Sequence, residues 1–464
     1  MTLAILTFGV AYLLLVDGHY RRAAVVFTAV VFMLLVGVLT LTEAWAAVNW
    51  YVIGTFIGML VLSDLFLASR MPIALAGWIA RRTRSVAGAA LGLAVLASAL
   101  SLVLENVSVV LILAPIALAL AKAFDTRAAP FLIGVALSSN LQAAALLIGD
   151  PPAMILGTYA GLSFNDFFWY HGHPGIFFAV ECGAIASLWM LWRLFRKQSR
   201  PAPNVPYEAP RSIVPTLLLF GMVATLIVVS LTGRSSPMVT TWVILASAAI
   251  GWFWHIARRT DDSRDGGGVL QHLFFHRLPV LEEDGVERPL SRISRQFLSA
   301  RERFGGEHRL LRALDWETVI FLACVFVLVE ALAKTGVLVV LAGWFASVSG
   351  GSALQAYIIL VIFAVTVSAF IDNVPFIVAM LPVASEVAVG LGIDPFPLYA
   401  GLLIGASVGG NITPIGASAN IVAFRWINER TEEKLSFWGF VRYGLPFTIT
   451  AVIVASTAGW ILWN

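Results

Sequence analysis

The sequence predicts an all-α polytopic membrane protein of two inverted repeats, each with five spans, one re-entrant hairpin and one broken helix. Three observations predict it: an apolar composition with little charge, hydrophobic runs of membrane-crossing length along the whole chain, and an internal repeat among the polar residues that interrupt those runs. Of 464 residues, 59% are hydrophobic and 12% charged, with mean hydropathy +0.88. A soluble domain is roughly a quarter charged, so most of this surface must face lipid. The net charge of +3 is too small to point to nucleic acid.

Apolar runs long enough to cross a hydrocarbon core of about 30 Å fall near 2–16, 24–41, 50–69, 130–160, 175–193, 213–231, 239–256, 316–336, 398–424 and 441–462. The first follows no basic n-region and precedes no A-x-A cleavage signal, so it reads as a retained span. Cys182 and Cys324 lie inside apolar runs with no metal or redox spacing, and read as buried small hydrophobes.

Direction follows from Lys and Arg, which favour the cytoplasmic side. The connections holding Arg21/Arg22, Arg70/Arg81/Arg82/Arg84, Lys122/Arg127, Arg193/Arg196/Lys197/Arg200 and Arg425/Lys434 are basic, whereas 42–49, 161–174 and 391–397 have neither residue. One threading puts every basic connection inside and both termini outside, provided that 85–121 and 355–390 do not cross. Each is interrupted by polar residues, Glu105-Asn106 and Asp372-Asn373, as the tip of a re-entrant hairpin requires. The first hairpin opens inward and the second outward. The first repeat then covers 1–212, the second begins with the spans in 213–256 and resumes over 316–464, and 257–315 is a charged cytoplasmic linker. Within that linker, 291–312 has the composition of a basic surface helix. The expected location is the plasma (inner) membrane, as a multi-pass protein.

The repeat is visible by subtraction. Ser101, Glu105, Asn106 and Pro115 match Ser368, Asp372, Asn373 and Pro382, each pair 267 residues apart. Gly134 and Asn140 match Gly405 and Asn411 at 271, Ile148-Gly149 match Ile415-Gly416 at 267, and Trp50 with Asp64 match Trp316 with Glu330 at 266. An odd number of spans per half forces the second half to be inverted. Gly149-Asp150-Pro151-Pro152 and Gly409-Gly410-Asn411 break the spans 130–160 and 398–424 at matching places. Broken helices free backbone groups that can hold an ion or polar substrate, although Gly and Pro also make plain packing kinks.

At these residues the sequence resembles the ion transporter superfamily, in its arsenite permease, P protein and NhaD-type antiporter branch with a citrate-transporter-like domain. The strings are Glu105-Asn106-Val107, Leu147 to Pro152, Ser368 to Pro375 and Gly409 to Asn420. The chain departs from the family at Glu105, where Asp is usual, at Gln142-Ala143-Ala144 in place of Gly-Gly-Thr, and at Ala153 in place of Asn. The resemblance implies a scaffold domain that supports a homodimer, and a transport domain of hairpins and broken helices that moves like an elevator.

The candidate binding residues are Glu105, Asn106, Asn140, Asp150, Asp372, Asn373, Asn411, Thr413, Ser418 and Asn420. Because the second break offers more oxygen ligands than the first, Na⁺ is expected at Asp372, Asn373, Asn411 and Thr413, with the first-half residues shaping the substrate side. Tip acids as helix caps are the plainer alternative. Asp64 and Glu330 are proton-coupling candidates, because a charge at bilayer depth needs a partner, a cavity or a proton; Lys334 is one candidate partner for Glu330. His171-Gly172-His173 lacks a third metal ligand. No G-x-x-x-x-G-K-[ST] phosphate loop is present in this chain, and no cofactor is expected beyond a coupling H⁺ or Na⁺.

The predicted function is a secondary active transporter moving a small inorganic ion, by cation/proton antiport or arsenite-like efflux, with a di- or tricarboxylate as alternative substrate. Few basic residues lie in the broken segments, which favours the inorganic reading. An ion channel, or an intramembrane enzyme using Asp64 or Glu330, fits less well, because the polar residues follow repeat symmetry and form no compact catalytic motif.

Overall fold

The computed structural model describes residues 2–17, 21–83, 85–196, 210–264 and 315–463. The linker proper and the basic stretch 291–312 lie outside the described residues. Nineteen α-helices run through the rest, eight of them long and apolar enough to cross a membrane. In the first half they are α1 (Thr2–Asp17), α2 (Arg22–Leu35), α3 (Leu41–Ala47), α4 (Trp50–Ala68), α5 (Met71–Arg82), α6 (Val86–Ser101), α7 (Asn106–Ala123), α8 (Ala129–Gln142), α9 (Pro151–Tyr159) and α10 (Ile176–Phe195). In the second half they are α11 (Val214–Leu231), α12 (Pro237–Arg264), α13 (Trp316–Lys334), α14 (Val337–Val348), α15 (Ala353–Ser368), α16 (Asn373–Leu391), α17 (Phe396–Gly409), α18 (Ser418–Arg430) and α19 (Phe437–Trp463). His171-Gly172-His173 sits at the turn of a two-stranded hairpin, β1 (Trp169–Tyr170) and β2 (His173–Pro174).

Local chemistry sets the helix starts, and it repeats between the halves. Asn49 accepts from Val52 N to open α4, as Asp315 accepts from Thr318 N to open α13. Ser85 and Ser352 do the same for α6 and α15. Each cap satisfies a backbone donor that the first helical turn leaves unpaired. Arg70 (φ 59°) and Gly336 (φ 76°) turn the chain in left-handed geometry into α5 and α14. These two twelve-residue helices are absent from the sequence reading. They are too short to cross, so a search for membrane-length runs passes over them.

The centre of the molecule is the pair α8 and α17, in which every residue is buried. Their small side chains let neighbouring backbones approach closely. Thus α6 packs on α8 and α15 on α17, while α10 lies against α19. Outside this core the halves exchange partners. Helix α12 packs on α4, with Thr55 and Thr241 hydroxyls 3.0 Å apart, and α2 packs on α13. After the breaks, α9 packs on α16 and α18 on α7.

Three expectations need correction. The expected span 24–41 ends at Leu35, since the chain turns there and restarts as α3 under a Thr40–Glu43 capping box. With 16 and 14 residues, α1 and α2 rise only about 24 and 21 Å, short of a full crossing. Cys324 is buried, but Cys182 is exposed on α10, because an apolar run on an outer helix has a face turned away from the core. Lys334 pairs with Glu43 at 2.7 Å, not with Glu330.

Candidate functional site

Hairpin turns and helix breaks meet at the core. The first hairpin turns between α6 and α7 just before Asn106, and the second between α15 and α16 just before Asn373. Each is tied to a central helix by an equivalent bond. Ser101 Oγ donates to Ser139 O at 2.8 Å and Ser368 Oγ donates to Ala406 O at 2.5 Å. Helix α8 stops at Gln142 and the chain restarts as α9 at Pro151, where a missing N–H costs nothing. Helix α17 stops at Gly409, passes through one 3₁₀ turn and restarts as α18 at Ser418. Gly416 makes that second break possible. A Cβ there would lie 2.6 Å from Gly410 O, 2.7 Å from Ala369 O and 2.9 Å from Ser368 O.

Four of the candidate amides form one buried network across the two halves. Asn106 Nδ2 donates to Asn140 Oδ1 at 3.0 Å. Asn140 Nδ2 donates to Asn411 Oδ1 at 2.8 Å and to Asn420 Oδ1 at 3.0 Å. Asn411 Nδ2 returns to Leu137 O at 2.9 Å, and Asn420 Nδ2 bonds Gly410 O and Thr413 O at 2.9 and 3.0 Å. Nearby, Ser368 Oγ lies 2.6 Å from Asn373 Oδ1, and the Thr413 hydroxyl donates to Ala369 O while accepting from Gly416 N. Buried polar groups must be paired, and here they pair with one another. Their oxygens therefore hold the broken helices in register.

The carboxylates are arranged differently. Glu105 and Asp150 line one cavity of about 10 Å³, together with Ser63, Gly149 and the apolar side chains of α4. That is room for about one water-sized particle. Ser108 Oγ donates to Glu105 at 3.1 Å. Asp150 is 7% exposed, and among the described residues no basic side chain bonds to either acid. Two carboxylates and a hydroxyl in so small a space are hard oxygen ligands suited to a proton or an alkali cation.

Asp372 caps α16 through Val374 N, at 3.2 Å. Its other oxygen accepts from Arg22 Nη1 at 2.7 Å, and the same nitrogen donates to Ser418 Oγ at 2.8 Å. Arg22 thus joins α2, the second tip and the start of α18. The sequence reading counts Arg22 only as a marker of the cytoplasmic side. The apolar run 24–41 gives no sign of this role, since Arg22 lies just before it. Glu181 on α10 is a second omission; it accepts a hydrogen bond from Gln142 in the wall of the first break.

Asp64 and Glu330 stand apart from this cluster. Each lies four residues before the end of its helix, and neither lines the cavity. Asp64 is half-buried and Glu330 is exposed.

The family pattern described as citrate transporter matches residues 12–261 and 293–463. An uncharacterized transporter of Mycobacterium tuberculosis is 27% identical over 469 residues, covering 99% of this chain and 98% of its own. The P protein of Homo sapiens is 28% identical over 405 residues, 78% of this chain and 47% of that protein. Among solved structures, the Alcanivorax borkumensis YdaH transporter superposes with a TM-score of 0.56 at 15% identity, over 90% of this chain and 87% of that one. Neisseria gonorrhoeae MtrF, described as one of a class of antimetabolite efflux pumps, gives 0.51 at 14% identity, over 93% and 84%. At these identities the two structures support the fold alone.

Proposed function

Because this chain belongs to the citrate transporter family and is a secondary transporter of that type, we propose that it couples the movement of a small inorganic ion to H⁺ or Na⁺ loaded at Glu105 and Asp150. One observation carries this reading: two carboxylates share an ion-sized cavity and no basic side chain among the described residues bonds to them. Two such charges repel in a low-dielectric site until a proton or cation enters. The expected Na⁺ set of Asp372, Asn373, Asn411 and Thr413 is not the one proposed. Asn373, Asn411 and Thr413 already engage protein donors or acceptors, and Asp372 already has a cation.

Loading then sets which way the transport unit faces. In this reading the halves are inverted, and α6 to α9 with α15 to α18 move as one body against α4 with α12 and α2 with α13. The amide network keeps that body rigid, so both tips travel together.

A di- or tricarboxylate substrate is the second reading, favoured by Arg22, a basic residue that the broken segments themselves lack. The 10 Å³ cavity is too small for such an anion, which would have to bind beside Arg22. Proteoliposomes with imposed pH and Na⁺ gradients test both readings. Cation flux that collapses in Glu105→Gln and Asp150→Asn supports the first; citrate uptake that survives those changes but fails in Arg22→Gln supports the second. Flux indifferent to either gradient would sink the coupling.

A further inference from the structure

A carboxylate at membrane depth is neutralised by a proton, by a bound cation or by a cation built into the protein. The two tips solve this problem differently. At the first, Glu105 shares its cavity with Asp150. In the second half the residue equivalent to Asp150, 267 positions on, is Ala417, so one acid is missing. Arg22 occupies the remaining one, with Nη1 2.7 Å from Asp372 Oδ2. A guanidinium keeps its charge at any working pH. It is also held on α2, which packs against α13, so in this conformation a free ion must compete with a tethered group.

We infer that Arg22 is the resident counter-cation of the second tip, so that Asp372 exchanges neither H⁺ nor Na⁺ and only the first tip loads a coupling cation. This rests on the reading of Glu105 and Asp150 as the cation-loading pair. Arg22 is then a specificity-determining residue that acts through Asp372, and it leaves one of the two tips to exchange a cation. The groups facing Asp372 are Arg22 from α2, Tyr12 from α1, and, across the site, Glu105 and Asp150. Ser418 from α18 shares the Arg22 nitrogen. Of these, Arg22 alone brings positive charge.

The test needs no knowledge of the substrate. Purified protein in lipid nanodiscs is titrated with acid, with and without sodium chloride, and followed through the infrared carbonyl stretch of protonated carboxyls. In the native chain, Glu105→Gln should remove a titrating band that Na⁺ suppresses, whereas Asp372→Asn should remove none. Arg22→Gln should add one new Na⁺-sensitive band, absent again in Arg22→Gln/Asp372→Asn, and Arg22→Lys should add none. An Arg22→Gln spectrum identical to the native one would overturn the inference, as would a native band lost in Asp372→Asn. The first-tip reading is scored separately, by the band that Glu105→Gln removes. If Arg22→Gln alone does not fold, the double variant decides. Recovery of native-like melting supports a mutually neutralising pair, and failure to recover overturns it.

Discussion

Glu105 and Asp372 stand at equivalent places, 267 residues apart, yet one shares a cavity with a second carboxylate and the other holds a guanidinium. The backbone repeats closely, from the caps of α4 and α13 to the serine bonds behind each tip. The charge does not repeat. Two changes separate the halves: the exchange of an acid for Ala417, and the entry of Arg22 from α2, which lies outside the hairpin-and-break unit. A repeat can therefore preserve the frame of a tip while only one copy keeps paired carboxylates that bond to no basic side chain among the described residues. The comparison teaches that the occupancy of a tip depends on what the flanking helices bring to it.

The largest effects should come from neutralising the two tips in turn. Glu105→Gln and Asp150→Asn should reduce gradient-driven flux to background in proteoliposomes while leaving the melting temperature unchanged or raised, because each removes an acid that bonds to no basic side chain among the described residues. Asp372→Asn should instead lower stability by about 1–2 kcal/mol, since it strands Arg22; the full penalty for breaking a buried pair is discounted here because the partners are partly exposed. Arg22→Gln/Asp372→Asn should restore most of that loss. Equal stability losses at both tips, measured by thermal unfolding in detergent, would erase the distinction between them.

Much of the frame is legible in the sequence, because the strings around Glu105, Asp372, Asn140 and Asn411 repeat at nearly constant spacing and glycine and proline mark the breaks. The stretches 85–121 and 355–390 correspond to α6 with α7 and α15 with α16, although α7 and α16 are each long and apolar enough to cross a membrane. The site is less legible, for a physical reason. Which oxygens remain available depends on who bonds to whom, and Asn411 and Thr413 look like ligands until their partners are seen. Arg22 is farther from reach, since it acts on a residue 350 positions away from a helix with no counterpart in the hairpin pattern. Helices α5 and α14 are missed because neither crosses.

The amide network links the halves and should not favour either tip, and its substitutions act on stability more than on flux. Asn140 contacts Asn106, Asn411 and Asn420, so Asn140→Ala leaves several buried groups without a partner at about 1–3 kcal/mol each. Asn106→Ala removes a single bond to the network and should cost less. A chemical denaturation series that ranks Asn106→Ala above Asn140→Ala would show that the network is centred elsewhere. The glycines of the breaks sharpen the same comparison. Gly416→Ala meets three backbone oxygens, whereas the nearest backbone at Gly149 belongs to Ala143 alone. The second-half substitution should therefore be the more damaging to folded yield.

The smallest effect is expected at the periphery, where Lys334 at the end of α13 bonds both carboxylate oxygens of Glu43 at 2.7 and 2.8 Å. The hydrogen bond from Lys334, followed by those within the Thr40 cap, holds the Glu43 carboxyl at about 2, below its ordinary 4.5. A lowered folded-state value means that the ionised form is favoured in the native protein, so the contribution is present above the ordinary value and disappears as pH falls from there through about 2. Both side chains are more than two-fifths exposed, and salt screens such pairs. Glu43→Gln should therefore lower the melting temperature only slightly at neutral pH and low salt, and the gap from the native chain should close in acid or at high salt. Transport should be unaffected, because the pair lies at neither tip. A gap that persists unchanged into acid would mean that Glu43 stabilises α3 by its shape and backbone bond to Thr40, and that the link to α13 contributes nothing.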